Sequence, residues 1–315
     1  MDYPSYKPKG RIEHKHLIDL LDYSAADIYE ILHLAQTLKM YFKRGKKHEL
    51  LRKKNIAMIF ASPSVRTRAS FETGIRELGA NPLFLSESDT YLPLGETPKD
   101  VARSLSRYGI DGLVVRTQKQ SVVEEIAENC NFSVVNGLTD SFRPCQALSD
   151  LFTITENFGK LNDIKLAYFG KGGSTANSLM LAGAKTGMNV YICSPKGYEP
   201  DPDVTAAAQK FGNVTVTDNA EEAAADADVI YTDTYRRTSA TIDKSELEAL
   251  APYRVDAATV GMAKKTAVFM HCLPARRGEE VTETVIDSTH SIVFEQAENL
   301  LHTQKAILCL LIGKK

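Results

Sequence analysis

Short uncharged apolar runs alternate along the chain with longer stretches in which apolar residues recur every three or four positions. The runs "NIAMIF" (55–60), "PLFL" (82–85), "GLVVRT" (112–117) and "SVVNG" (133–137) read as buried strands. Helical periodicity fills the intervals. "SAADIYEILHLAQTLKMYFKRG" opens with a capping serine, Ser24, and closes on Gly45, and a second helix follows Arg68. Near Asp163 the pattern restarts. "IKLAYFGKGGSTANSLMLAGAKTGMNVYICSPKGY" is strand, glycine turn, helix and strand, a βαβ unit. "NVTVTD", "DVIYTDTY" and "AVFMHCLP" supply three more strands. "PCQALSDLFTITENFG" (144–159) reads as a helix joining the halves, and "ENLLHTQKAILCLLIG" as a long apolar-faced final helix. The pattern predicts an α/β fold of two domains, each a mainly parallel sheet flanked by helices, with a cleft between them.

Composition narrows the function. A chain of 315 residues accommodates two domains. A net charge of −2 with 43% hydrophobic residues carries no nucleic-acid footprint. No uncharged apolar run approaches the length of about 18 residues that a membrane helix needs, so no membrane partner is expected. Five dispersed cysteines (Cys130, Cys145, Cys193, Cys272, Cys309) form no CxxC pair. That argues against a zinc site or disulfide framework and for a reducing, cytoplasmic setting. "MDYPSYKPKGRIEHKHLIDL" has no apolar signal core.

One stretch concentrates chemistry. "FASPSVRTRASFETGIRELG" (60–79) places two arginines and several hydroxyls where a strand gives way to a helix. Helix N-termini offer unpaired N–H groups and partial positive charge, which favour a phosphate. Ser64, Thr67 and Arg66 would crowd that point. The plainer reading makes Ser64 a helix cap and the arginines surface charges; this stretch alone leaves both open.

"SPSVRTR", "GETPKDVARSLSRY", "VVRT", "RPCQALSDL", "YTDTY", "FMHCLPARRGEEVTETVID" and "QAENLLHTQKA" resemble the carbamoyltransferases in order and spacing. The resemblance covers nearly the whole chain and is nearest to the ornithine members of the aspartate/ornithine family. It implies a carbamoyl-phosphate-binding domain (1–147) to which a C-terminal helix (about 293–315) returns, and an amine-acceptor domain (148–292). It also implies a homotrimer or a multiple of trimers, completed by a neighbour's loop near "YLPLGETPKD". Small-molecule substrates would react by direct attack of an amine, without metal or organic cofactor. By resemblance, Ser64, Val65 (through its N–H), Arg66 and Thr67 hold the phosphate, and Arg116 reaches phosphate and carbonyl oxygen. Gln146 and the backbone carbonyls around Cys272 and Leu273 accept from the carbamoyl amide. Asp233 and Cys272 face the attacking amine. Arg68 is expected to pair with Glu72 along the helix.

Four departures from the family pattern stand out. Arg143 occupies the histidine position of "HPCQ", where it would serve the carbonyl oxygen, and Leu300 the arginine position of "AENR". The Ser-Met-Gly triplet that reads ornithine is absent from "TYRRTSATID", and Gly173 and Ser174 stand where an asparagine pair is expected. The last two suggest a different acceptor, with Ser174, Arg236 and Arg237 contacting it and the two arginines suiting a carboxylate. The first two raise the alternative of a non-catalytic or repurposed relative that binds a metabolite or partner. A third reading takes "FGKGGSTANS" as a dinucleotide turn. It is disfavoured because the next strand ends in Ser194 and Pro195 rather than an acidic residue.

Overall fold

The computed structural model describes residues 3–86, 89–90, 92–236 and 243–313. The chain divides into two units. The first comprises Tyr6–Phe152 and the C-terminal stretch from Asn299; the second comprises Thr153–Glu298 with the N-terminal residues through Ser5.

In the first unit, α1 (Ala25–Lys43) starts at a capping box in which Ser24 and Asp27 exchange hydrogen bonds. There follow β1 (Asn55–Phe60), α2 (Val65–Glu77), β2 (Asn81–Ser86), α3 (Pro98–Arg107), β3 (Gly112–Arg116), α4 (Gln120–Glu128), β4 (Ser133–Leu138) and α5 (Pro144–Phe158), whose residues from Thr153 onward belong to the second unit. The strands pair in parallel in the order β2-β1-β3-β4. Ile56, Met58, Val114 and Val134 are fully buried, as continuous apolar strands of a sheet covered on both faces require.

In the second unit, β5 (Lys165–Phe169), α6 (Ser174–Lys185), β6 (Asn189–Cys193), α7 (Pro202–Gln209), β7 (Val214–Thr217), α8 (Ala220–Ala224), β8 (Val229–Thr232), α9 (Lys244–Leu250), α10 (Ala257–Gly261), β9 (Val268–His271) and α11 (Glu283–Ile286) follow in turn. All five strands are parallel, in the order β7-β6-β5-β8-β9. The order reverses beside β5, where such sheets open a crevice at their C-terminal edge.

The last helix, α12 (Val293–Ile312), carries its residues from Asn299 onward back to the first unit. Polar bonds lock it there. Lys305, fully buried, donates from Nζ to Glu77 at 2.6 Å, and Lys39 Nζ donates to Asn299 Oδ1 at 2.7 Å. A buried ammonium needs such partners to offset its lost hydration. Among the described residues no helix is long and apolar enough to cross a membrane.

Candidate active site

The chemistry-bearing residues fall just past strand ends. In the first unit, β1 and β3 align Phe60 with Arg116, and Ala61 N–H donates to the Arg116 carbonyl at 2.8 Å. The Ser62–Ser64 turn is thereby held beside the Arg116 side chain. Arg116 is 6% exposed, and its Nε donates to Ser62 Oγ at 3.3 Å. A guanidinium so far out of water is a strong anion donor.

Ser64 occupies the N-cap position of α2, but its side chain caps nothing. Its Oγ donates instead to Thr67 Oγ1 at 3.0 Å. The N-cap side chains of α1, α3, α7, α8, α9 and α10 all accept from backbone N–H groups of their own first turns. At α2 those donors are left for another acceptor, so the cap-only reading of Ser64 does not hold. Val65, whose N–H is among them, exposes its side chain, Arg66 is half-buried and Thr67 is buried. Arg68 is diverted: it pairs with Glu72 at 3.3 Å and lies 3.5 Å over the Phe84 ring.

Arg143 directly precedes α5, and its carbonyl accepts from the N–H groups of Gln146 and Ala147. A second cation-bearing helix start thus stands past β4, which pairs with β3. Buried Gln146 donates from Nε2 to Asp150 at 2.8 Å, which leaves Oε1 as its accepting end. Leu300 is buried in α12. Burial pushes the neighbouring Cys145 thiol up to about 12, with Arg143 opposing, so that sulfur is inert.

In the second unit, Asp233 follows β8 and Cys272 follows β9, on adjacent strands. The Asp233 carboxylate collects three donors: Cys272 Sγ at 2.9 Å, Thr175 Oγ1 at 2.8 Å and Thr234 N–H at 2.7 Å. Ser174 opens α6 and is buried beside Thr175. Behind Cys272 lies a fully buried pair, His271 Nε2 to Glu280 Oε1 at 3.2 Å. His271 Nδ1 accepts from Leu273 N–H at 2.8 Å, which makes Nε2 the protonated nitrogen.

Asp233, His271 and Cys272 offer ligand atoms within 4.8 Å of one another. Both ring nitrogens of His271 are already engaged, so the trio does not fit a metal.

The glycine turn has a packing explanation. A Cβ on Gly172 would lie 2.1 Å from the Pro200 backbone nitrogen, and one on Gly170, at φ +129°, would lie 2.9 Å from Tyr235 Cε1. Ser194, where a dinucleotide site wants an acid, donates to the Gly170 carbonyl at 2.6 Å.

Residues 15–156 match the family described as aspartate/ornithine carbamoyltransferase, carbamoyl-P binding domain, and residues 162–311 match its Asp/Orn binding domain. The chain belongs to the aspartate/ornithine carbamoyltransferase family. An ornithine carbamoyltransferase of Anoxybacillus flavithermus is 46% identical over 308 residues, 96% of this chain and 98% of that one. The Bacillus subtilis enzyme of that name is 45% identical over 306 residues, 95% and 94% of the two chains. Among solved structures, ornithine carbamoyltransferase from Pyrococcus furiosus superposes with a TM-score of 0.92 at 43% identity, covering 97% of this chain and 98% of that one. The chain is accordingly a carbamoyltransferase, and nothing in these likenesses supports the non-catalytic or dinucleotide readings.

Arg236 is not an open cation: its Nε donates to Glu279 Oε2 at 2.8 Å, so its charge is neutralised locally. Arg237 lies outside the described residues. Sequence reading singled out Cys272 and Leu273 in "HCLPARRGEE" and passed over His271 and Glu280. Glu280 gives no signal by itself, because acidic residues in such a stretch are ordinarily solvated.

Proposed function

We propose that this carbamoyltransferase moves the carbamoyl group of carbamoyl phosphate to the side-chain amine of ornithine, as a cytoplasmic trimer. The observation that carries the reading is the Asp233–Cys272–Thr175 arrangement, present in a chain similar over nearly its whole length to ornithine carbamoyltransferases. The four departures, at Arg143, Leu300, Gly173–Ser174 and the missing triplet, then represent altered ways of holding the same substrates.

In this reading Ser64, Val65 N–H, Arg66, Thr67 and Arg116 hold the phosphate. Arg116 and Arg143 stabilise the charge that builds on the carbonyl oxygen. Gln146 Oε1 and the carbonyls at Cys272 and Leu273 accept from the carbamoyl amide. Asp233 and Cys272 receive the acceptor's ammonium, with Ser174 beside them, and the ammonium must lose a proton before it attacks. The nitrogen–carbon bond forms and the carbon–oxygen bond to phosphate breaks; of the two protons the ammonium gives up, the one lost before attack goes to solvent and the one lost after it leaves with the released phosphate, as monohydrogen phosphate.

Calorimetric titration with carbamoyl phosphate tests the donor side. Arg66→Ala is expected to abolish the binding heat, and a titration unchanged by that substitution would remove the phosphate site. Ornithine added to the donor complex is expected to give a second heat. Silence there, with an intact donor response, would replace ornithine by another amine.

A further inference from the structure

Glu280 is fully buried, and its two carboxylate oxygens have different surroundings. Oε1 accepts from His271 Nε2 and from the Arg276 N–H. Oε2 is buried with no hydrogen-bond partner among the described residues. A buried carboxylate oxygen without a donor is costly, so such an atom points to a donor or a water.

A second buried oxygen is in the same condition. Tyr235 is 5% exposed, and its hydroxyl has no partner among the described residues either. Their chain neighbours are bonded to each other. Arg236, next to Tyr235, bonds Glu279, next to Glu280, at 2.8 Å. The Tyr235 ring is seated against Gly170, where even a methyl group would collide with it. Burial, and after it the negative charge of Glu280, hold the Tyr235 phenol above its ordinary range. The group is therefore a neutral O–H, able to donate, in the field of that carboxylate. Arg254 also faces it, and its guanidinium donates to the Gly278 carbonyl at 3.4 Å.

We propose that the Tyr235 hydroxyl donates toward Glu280 Oε2 through one buried water, and that Tyr235 is thereby a positioning residue for carbamoyl transfer. The role rests on the transfer reading above. A carboxylate held at both oxygens cannot swing away from His271. His271 in turn fixes the Leu273 N–H, and with it the peptide that carries Cys272 toward Asp233. Tyr235 touches no substrate in this scheme. It acts through Glu280 and His271, two residues downstream of the aspartate that receives the amine.

The test is a double-substitution cycle on kcat at saturating carbamoyl phosphate and ornithine. Tyr235→Phe is expected to lower kcat about 10-fold, to leave KM for carbamoyl phosphate within about twofold, and to keep the urea midpoint near wild type. In a Glu280→Gln background the same substitution is expected to change kcat by less than about twofold. Additive effects, or a Tyr235→Phe enzyme with unchanged kcat, overturn the positioning role. A wild type inactive with both substrates overturns the transfer reading and takes the role with it. A crystal structure of the unliganded wild type reads the bond without any variant. The expected result is a buried water within about 3.2 Å of both Tyr235 Oη and Glu280 Oε2. Another donor on that oxygen, or none, overturns the assignment.

Discussion

Asp233→Asn separates the structural duty of this side chain from its electrostatic one. The carboxylate accepts from Cys272 Sγ and Thr234 N–H on Oδ1 and from Thr175 on Oδ2. An asparagine can keep Oδ1 in place with both of its donors. Its Nδ2 then meets Thr175 Oγ1, a hydroxyl that can turn from donor to acceptor. The local network survives with one bond reversed, so the expected loss of stability is about 1 kcal/mol or less. What disappears is the negative charge opposite the incoming ammonium. A hydrogen bond to a charged partner is worth roughly 1.5–3 kcal/mol, and each 1.36 kcal/mol is tenfold in rate. The kcat/KM for ornithine should therefore fall about 10- to 150-fold at saturating carbamoyl phosphate. The KM for carbamoyl phosphate and the urea midpoint should stay near wild type. The assay is initial-rate formation of the ureido product over a range of ornithine concentrations. A kcat/KM within about threefold of wild type in a folded variant would refute the assignment of Asp233 to the amine.

Gly172→Ala places a methyl group 2.1 Å from the Pro200 nitrogen and 2.4 Å from the Glu199 carbonyl carbon, where only backbone can yield. It should cost about 3 kcal/mol or more of second-unit stability in urea, whereas Gly261→Ala, with open space around its Cβ, should be neutral; equal midpoints would remove the packing account of the glycine turn. Burial, helped by Lys305, Lys39, Lys43 and His48, pushes His302 down to about 3, and burial with Lys15 pushes His16 down to about 4. Both histidines bind protons more readily unfolded than folded, so their contribution is complete above pH 6.5 and is lost as pH falls below it. For His302 the loss between pH 6.5 and 4 is on the order of 3 kcal/mol. His302→Gln should flatten the acid side of a urea-midpoint titration by that amount, and an unchanged slope would contradict it.

Most strands were legible because they are apolar on both faces, β2 and β7 being the less buried ones, and the nine runs became two parallel sheets in an order that periodicity alone does not specify. Arg116, Asp233 and Cys272 were singled out through the motifs that resemble the carbamoyltransferases, and in the fold each ends or directly follows a buried strand. Thr175 and Glu280 were not. Each acquires its meaning from a partner on another element, Asp233 across 58 residues and His271 across a turn of nine, and no local pattern encodes such a pairing. Arg236 is of the same kind, since its partner Glu279 lies 43 residues away. Ser64 shows the converse. A serine before a helix reads as a cap, and only the hydroxyl's bond to Thr67 shows the first-turn donors left open.

The most direct test of the central claim is transfer itself: carbamoyl phosphate labelled at its carbon, incubated with the purified protein and ornithine. The account predicts label in a stable ureido product, with one phosphate released for each, and loss of that label in Asp233→Asn at limiting ornithine. Binding of carbamoyl phosphate with no label reaching ornithine, while another amine accepts it, would contradict the assigned acceptor. Label reaching no amine at all would contradict the assignment of this site to carbamoyl transfer.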